Sequence, residues 1–291
     1  MINKTPLGIA FFDAECGGVY RDRSVLVTGI SGAGKTMLGL HFLAQGLRLQ
    51  ERGLMLSTER AVDLAIMADS LDIPVGGAIE TGAFTVLEYS EFIPGRDQET
   101  NIMLPPDGFM QLKEIIETNA IRRVVIDTVL PWITLPNPAH LAEHIFSLIR
   151  AFERLGVTAL YTLPQPVSTA AIRLRKMLED VVPISITLLV EDAPVSRRWL
   201  VNKYLGQNLK ADGVRYDILP KKGIVAHTAA AGAAVAGERP VPLPPAPGAA
   251  PVRDKGRATS FASLVLNQSA SASRPVSVGG AGGAAGQNRG I

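Results

Sequence analysis

The chain has 291 residues, a formal net charge of +2 and a hydrophobic fraction of 47%. Because Cys16 is the single cysteine, the composition excludes an intramolecular disulfide and a multi-cysteine zinc site. Asp13 and Glu15 interrupt the apolar N-terminal residues, so no secretory signal peptide is predicted. The longest near-apolar run, residues 181–190, is too short to span a bilayer. We therefore predict a cytoplasmic protein with no membrane partner.

Residues 229–291 differ in composition from the rest of the chain. They are rich in Ala, Gly and Pro, and Phe261 is their only aromatic residue. Such a segment cannot bury enough apolar surface to offset its chain entropy, so we predict a folded domain over residues 1–228 and a disordered tail. The tail has six Lys and Arg against two acidic residues, a net of +4, which leaves −2 for the domain. The basic character of the whole chain is therefore weak evidence for a nucleic-acid surface on the domain. Residues 259–268 of the tail are either a docking peptide for a protein partner or a mildly apolar interruption of a linker.

Strands and helices alternate along the predicted domain. The β-branched run over residues 24–28 predicts a buried strand, and residues 35–52 predict the helix that follows it. Further strands are predicted over residues 54–57, 84–87, 123–127 and 157–163, and further helices over 61–71, 109–118 and 141–155. Three or four β runs follow, at 184–190, 199–205, 214–219 and 223–226, and the last of them are close together and predicted to be antiparallel. The pattern is typical of an α/β fold with a mostly parallel sheet flanked by helices.

Residues 29–36 read GISGAGKT and match the pattern G-x-x-x-x-G-K-[ST] of phosphate-binding loops. Glycines in this loop adopt backbone conformations that a Cβ would block, so successive amide N–H groups can point at phosphate oxygens. The helix that follows adds partial positive charge at its N-terminus. Since the motif lies between a predicted strand and a predicted helix, the sequence predicts the ATP site of a P-loop NTPase.

Two side chains of this motif have separate predicted roles. Lys35 is expected to reach the β and γ phosphates, and the Thr36 hydroxyl is expected to bind Mg²⁺. Asp127 ends a hydrophobic strand, the position at which P-loop NTPases place a carboxylate that orients Mg²⁺. The predicted metal site is therefore Thr36 with Asp127. The predicted nucleotide-binding residues are Gly29, Ser31, Gly32, Ala33, Gly34, Lys35, Thr36 and Met37.

Glu59 is the candidate catalytic residue. It follows the predicted strand 54–57, and neighbouring parallel strands all end at the same edge of a sheet. A carboxylate there can orient or deprotonate the water that attacks the γ phosphate. The alternative is that Glu59 caps or charges the first turn of the next helix. Position alone leaves both interpretations open.

The order of these segments resembles a known family. GISGAGKT, STER, RRVVIDT, RLGVTALYTL, RRWLVNKYLG and VRYDILPKKGIVA follow one another as in the single-domain relatives of the circadian-clock ATPase KaiC, within the RecA superfamily. The resemblance covers residues 8–226, and the tail has no counterpart. It implies a RecA-like fold, ATP with Mg²⁺, slow hydrolysis with Glu59 as catalytic residue, and a homo-oligomeric ring in which the nucleotide lies between neighbours.

The chain departs from the family pattern at three places. The family usually has two adjacent acids where this chain has Glu59 and Arg60. Its Lys-x-Arg-Gly-x-x-His pattern is reduced to Lys203 here, because the arginine and histidine are replaced. In the family this pattern reaches the neighbour's nucleotide, so the resemblance implies that Lys203 makes this contact. Because the arginine is missing, a weak Mg²⁺-dependent ATPase is predicted. Residues 179–182 read EDVV where the clock protein has a Ser-Thr pair, so autokinase activity is not expected.

Other patterns support different functions. His140 and His144 fit the H-x-x-E-H pattern of zinc metalloproteases, or they lie on the outer face of a helix. Arg173, Arg175 and Lys176 can contact DNA, as in recombination mediators of the RadA type, or they form a solvated helix face paired with Glu179 or Asp180. A small-molecule P-loop kinase is disfavoured because no arginine-rich lid segment is present.

The sequence thus predicts an ATP-binding, KaiC-like regulatory protein that acts through nucleotide-dependent assembly or partner binding. The alternative function is that of a DNA-interacting recombination mediator with the same ATP site.

Overall fold

The computed structural model describes residues 3–73, 75–88, 106–133, 140–192, 195–209 and 212–227. The tail predicted over residues 229–291 lies outside the described residues. No helix in the described part of the chain combines the length and the apolar character needed to cross a membrane.

The elements alternate between strands and helices up to β8. In chain order they are β1 (Lys4–Thr5), α1 (Ala10–Cys16), β2 (Val19–Tyr20), β3 (Ser24–Gly29), α2 (Lys35–Arg48), β4 (Arg52–Ser57), α3 (Ala61–Ser70), α4 (Val75–Glu80), β5 (Phe84–Glu88), α5 (Pro106–Thr118), β6 (Ile121–Asp127), α6 (Leu130–Ile133), α7 (Leu141–Arg154), β7 (Thr158–Pro164), α8 (Thr169–Val181), β8 (Ile184–Asp192), β9 (Val195–Tyr204), β10 (Val214–Leu219) and β11 (Gly223–Ala226).

One nine-stranded sheet organises the fold, in the order β11-β10-β9-β8-β3-β7-β6-β4-β5. The strands from β8 to β5 pair in parallel. The pairs β8 with β9, β9 with β10 and β10 with β11 are antiparallel. The prediction of an α/β fold with a mostly parallel sheet and antiparallel C-terminal strands is therefore confirmed.

Strand β3 occupies the middle of the sheet, between β7 and β8, and every one of its residues is buried. Its last residue, Gly29, pairs with Pro164 and with Leu188. At the same edge, Ser57 at the end of β4 lies opposite Asp127 at the end of β6. The parallel pairing therefore brings the glycine loop and both candidate acidic segments to one edge of the sheet.

Helices cover both faces of the parallel half of the sheet. Helices α5, α7 and α8 contribute to a core with the β6 residues Val124 and Ile126. Helix α2 packs on the opposite face, where a Cβ on Gly39 would lie 2.9 Å from Cγ1 of Val125. Because successive strand residues point to opposite faces, the alternation along β6 assigns each helix to its side.

A fully buried arginine ties the start of the chain to the sheet. The Arg123 Nε donates to Glu51 at 2.6 Å, and its Nη1 donates to the carbonyl oxygens of Pro6 and Phe42, both at 2.9 Å. Its Nη2 donates to the Thr5 hydroxyl at 2.6 Å. A buried charge is tolerated when it is paired and hydrogen-bonded, which explains an arginine inside a core strand.

Some elements differ from the sequence prediction. Helix α2 ends at Arg48, before the predicted end at residue 52, because Gln50 adopts a left-handed conformation with φ 60° and the Glu51 amide donates to the Gly46 carbonyl. Helix α1 was not predicted. The carboxylate of Asp13, in the first turn of this helix, accepts from the amides of Leu7 and Gly8 upstream of it. The short elements β1, β2, α4 and α6 were also not predicted. Helix α8 was predicted only in one of the two alternatives for Arg173, Arg175 and Lys176.

Candidate functional site

The glycine loop joins β3 to α2, as the motif requires. Gly32 and Gly34 have φ values of 74° and 97°, which L side chains rarely adopt. A Cβ on Gly29 would lie 2.7 Å from the carbonyl oxygen of Leu188, and one on Gly34 would lie 2.9 Å from Cδ1 of Ile218. A backbone oxygen therefore requires glycine at position 29, and the left-handed backbone favours glycine at positions 32 and 34.

Lys35 begins α2, and its ammonium lies against the loop. The Nζ donates to the carbonyl oxygens of Gly29 and Ile30, both at 2.9 Å. Burial lowers the pKa of Lys35, and the charge of Asp127 partly opposes this shift. The loop therefore holds a cation between its strand end and its helix start, at the place where the motif predicts contact with phosphate.

Thr36 and Asp127 are brought together by the parallel pairing of the sheet. The Thr36 hydroxyl donates to Oδ2 of Asp127 at 2.7 Å, and the Thr162 hydroxyl donates to Oδ1. Asp127 is 7% exposed and Thr162 is fully buried. Both carboxylate oxygens are thus oriented by hydroxyl donors, and Thr162 is a contributor that the sequence analysis missed.

These oxygen atoms fit the requirements of Mg²⁺. Magnesium prefers oxygen ligands and is commonly held by one or two protein oxygens together with substrate phosphates and waters. Thr36 and Asp127 supply a hydroxyl and a carboxylate at the start of the glycine loop's helix. Within the described ranges, no group of three or more His, Cys, Asp or Glu side chains could hold a metal by itself. A magnesium ion here would therefore depend on the bound nucleotide for further ligands.

The hairpin of β10 and β11 packs against the loop. The Tyr216 hydroxyl donates to the Ala33 carbonyl at 2.6 Å, and burial raises the pKa of Tyr216 to about 12, so the donor stays protonated. Arg197 lies opposite Tyr216 in the sheet register. Its Nε is buried without a hydrogen-bond partner in the part of the chain that the structure describes. The sequence analysis assigned no role to either residue.

A hydrogen bond to His41 connects the same hairpin to α2. The Ile224 amide donates to Nε2 of His41 at 3.2 Å, so the imidazole is neutral and acts as an acceptor. Burial, assisted by the charge of Arg48, lowers the pKa of His41 to about 4. The helix that carries Lys35 and Thr36 is thereby held against the last two strands.

Glu59 lies in the exposed turn between β4 and α3. The carboxylate that caps α3 belongs to Glu88, which accepts from the Ala61 amide at 2.8 Å. Arg60 pairs with Asp63 at 2.8 Å. Glu88, and not Glu59, therefore accepts from the Ala61 amide. The alternative in which Glu59 charges the first turn and its catalytic role both stay predictions.

Lys203 lies away from the glycine loop of its own chain. Its Nζ donates to the carbonyl oxygens of Glu179 and Asp180, at 2.6 and 3.1 Å, in the last turn of α8. In the register of the sheet it opposes Ser185, three residues before Leu188, the partner of Gly29. At 3.3 Å per residue this offset is roughly 10 Å along the strand. The predicted contact with a neighbour's nucleotide stays a prediction.

Three residues of the two other patterns have ordinary structural partners. His140 pairs with Glu143 at 3.3 Å, and Nε2 of His144 lies 2.9 Å from the Trp132 carbonyl oxygen. Since the described residues contain no group of three metal-ligating side chains, the metalloprotease alternative finds no support there. On α8, the Arg175 Nε lies 3.6 Å from the Glu179 carboxylate, as expected for a paired helix face.

Comparison with known proteins identifies a matching family model and several relatives. The family model "ATPase: KaiC" matches residues 5–230. The circadian clock oscillator protein KaiC of Parasynechococcus marenigrum is 30% identical over 166 residues, which are 55% of this chain and 32% of that protein. A UPF0273 protein of Thermotoga maritima is 28% identical over 172 residues, or 55% of this chain and 69% of that protein.

A solved structure is similar over a longer part of the chain. The KaiC-like protein of Pyrococcus horikoshii superposes with a TM-score of 0.63 at 21% identity, covering 78% of this chain and all of that one. At this identity the match shows the fold alone. The chain spans about a third of the length of the clock proteins that it matches.

Proposed function

The chain belongs to the KaiC ATPase family, and from this premise we propose that it is an ATP-binding regulatory protein whose nucleotide state controls assembly or partner contacts. The observation that carries the proposal is the 2.7 Å hydrogen bond between Thr36 and Asp127. This bond joins the end of the glycine loop to the end of β6 and brings the two candidate Mg²⁺ ligands together. The charge of Asp127 also acts on Lys35, whose pKa it raises against the effect of burial.

In the proposed complex the loop binds the triphosphate. Amide groups of residues 31–36 and the N-terminus of α2 attract the phosphate oxygens, and Lys35 exchanges its bonds to the Gly29 and Ile30 carbonyls for bonds to phosphate. Thr36 and Asp127 would hold Mg²⁺, which neutralises charge on the β and γ phosphate oxygens. Thr162 on β7 bonds to Asp127, and Tyr216 on β10 bonds to the Ala33 carbonyl; these contacts hold both residues in place.

We further propose slow hydrolysis. Glu59 is the carboxylate that orients or deprotonates the attacking water. A positively charged arginine contributed by a neighbouring subunit can raise such rates by several orders of magnitude, and the family's arginine pattern is absent after β9. Nucleotide binding is therefore the main proposed activity, and slow hydrolysis returns the protein to its ATP-free state.

The test is a measurement of the mass of the full chain in solution, with and without ATP and Mg²⁺. We expect a homo-oligomer that forms with ATP and Mg²⁺ and dissociates when EDTA removes the metal. Single-stranded DNA should bind no more tightly with ATP than without it. Tight, salt-sensitive and ATP-dependent DNA binding would instead favour the recombination-mediator function. A mass that is independent of nucleotide would contradict the proposed switch.

A further inference from the structure

Glu88 occupies a special position at the end of β5. It pairs in register with Ser57, the last residue of β4, so it lies beside the turn that leads into α3. Its Oε1 accepts from the Ala61 amide at 2.8 Å. The residue at the N-cap position, Arg60, makes no side-chain cap hydrogen bond. The cap of α3 is therefore supplied by a neighbouring strand.

The turn that carries Glu59 is fixed at three points. The Thr58 amide donates to the Asp127 carbonyl at 3.1 Å, and the Glu59 amide donates to the Ser57 hydroxyl at 3.1 Å. The third point is the bond from the Ala61 amide to Glu88. Glu59 thus lies between two anchored residues: Thr58, which bonds to Asp127 at the end of β6, and Ala61, which bonds to Glu88. The one contact of these three that Glu59 makes uses its backbone amide and not its carboxylate.

The charged side chains next to Glu59, those of Glu88 and Arg60, already have partners of their own. Amides at the N-terminus of a helix attract carboxylates, and the nearest carboxylate in sequence before α3 is that of Glu59. Glu88 already satisfies the Ala61 amide, while Arg60 bonds to both oxygens of Asp63 at 2.8 and 3.1 Å. If the Glu88 carboxylate were removed, the Glu59 carboxylate could turn back to cap the helix.

We propose that Glu88 is a positioning residue for Glu59. By capping α3 from β5, Glu88 fixes the turn between β4 and α3 and keeps the Glu59 carboxylate from serving as the cap. This inference rests on the proposed function, because it assigns Glu88 a role in hydrolysis that acts through Glu59.

The proposal is tested with Glu88→Ala, Glu88→Gln, Glu59→Gln and the double variant Glu59→Gln with Glu88→Ala. Glu88→Ala should lower kcat for ATP by about ten- to a hundredfold, because small displacements of a catalytic group have effects of this size. The Kd for ATP should not change. Glu88→Gln retains a carbonyl oxygen that accepts from the Ala61 amide, so it should restore most of the rate. In the Glu59→Gln background, Glu88→Ala should cause no further loss.

Hydrogen exchange of the peptide containing Ala61 provides a readout that does not depend on hydrolysis. It should accelerate in Glu88→Ala and stay near wild type in Glu88→Gln. The control is Glu80→Ala, an exposed residue of α4, which should alter neither rate nor exchange. Unchanged Ala61 exchange, or an equal loss of rate in the Glu59→Gln background, would overturn the inference. A wild-type chain that binds but never hydrolyses ATP would contradict the proposed hydrolysis instead, and the exchange result would still decide whether Glu88 fixes the turn.

Discussion

Replacing Lys35 with alanine is expected to weaken ATP binding by at least about 100-fold. Hydrogen bonds to charged groups are worth about 1.5–3 kcal/mol each, and about 1.4 kcal/mol corresponds to a factor of ten in affinity. In the structure the ammonium already makes two such bonds, to the carbonyl oxygens of Gly29 and Ile30. In the proposed complex these bonds are replaced by bonds to phosphate oxygens. The Lys35→Ala variant loses both the positive charge and these bonds, so its affinity for ATP should fall.

Isothermal titration of the full chain with a non-hydrolysable ATP analogue and Mg²⁺ measures this effect. The matched control is Lys113→Ala, because Lys113 lies on α5 and pairs only weakly with Glu117, at 3.8 Å. We expect the control to bind as tightly as the wild type. Equal affinity in Lys35→Ala, with an unchanged circular dichroism spectrum, would show that the nucleotide binds elsewhere. The same variant should also fail to assemble with ATP.

The Glu59→Gln variant is expected to bind ATP normally and to hydrolyse it at least about 100-fold more slowly. General acid–base catalysis typically contributes 10²- to 10⁴-fold, and glutamine cannot accept a proton from water in this way. Binding should persist because the side chain is exposed and the turn is held through backbone amides.

Single-turnover phosphate release, measured beside the Kd for ATP, separates the two steps. Glu80→Gln serves as the control, since Glu80 is an exposed carboxylate on α4. It should release phosphate at the wild-type rate. If Glu59→Gln also releases phosphate at the wild-type rate, Glu59 is not the catalytic group, and another residue must orient the water.

The central part of the site follows from local sequence. The glycine pattern prescribes the backbone conformations seen at Gly32 and Gly34, and the strand and helix on either side were predicted from adjacent residues. The meeting of Thr36 with Asp127 follows from one further rule, that parallel strands end at the same edge. These features depend on short spacings and on a single topological principle.

The supporting residues could not be found in this way. Thr162 reaches Asp127 because β7 lies beside β6, and Glu88 reaches Ala61 because β5 lies beside β4. Tyr216 reaches Ala33 across a separation of 183 residues. Such contacts depend on the order of strands in the sheet, which no local pattern encodes. Helix α8 is different, because the Ser168 hydroxyl accepts from the Ala171 amide and so provided a local N-cap signal.

The central claim is tested most directly by a crystal structure of the full chain with Mg²⁺ and a non-hydrolysable ATP analogue. We predict that the β and γ phosphates lie within hydrogen-bond distance of the amides of residues 31–36 and of the Lys35 Nζ, with the metal beside Thr36 and Asp127. A fully occupied nucleotide bound elsewhere, or a glycine loop that remains empty at saturating ligand, would contradict this account.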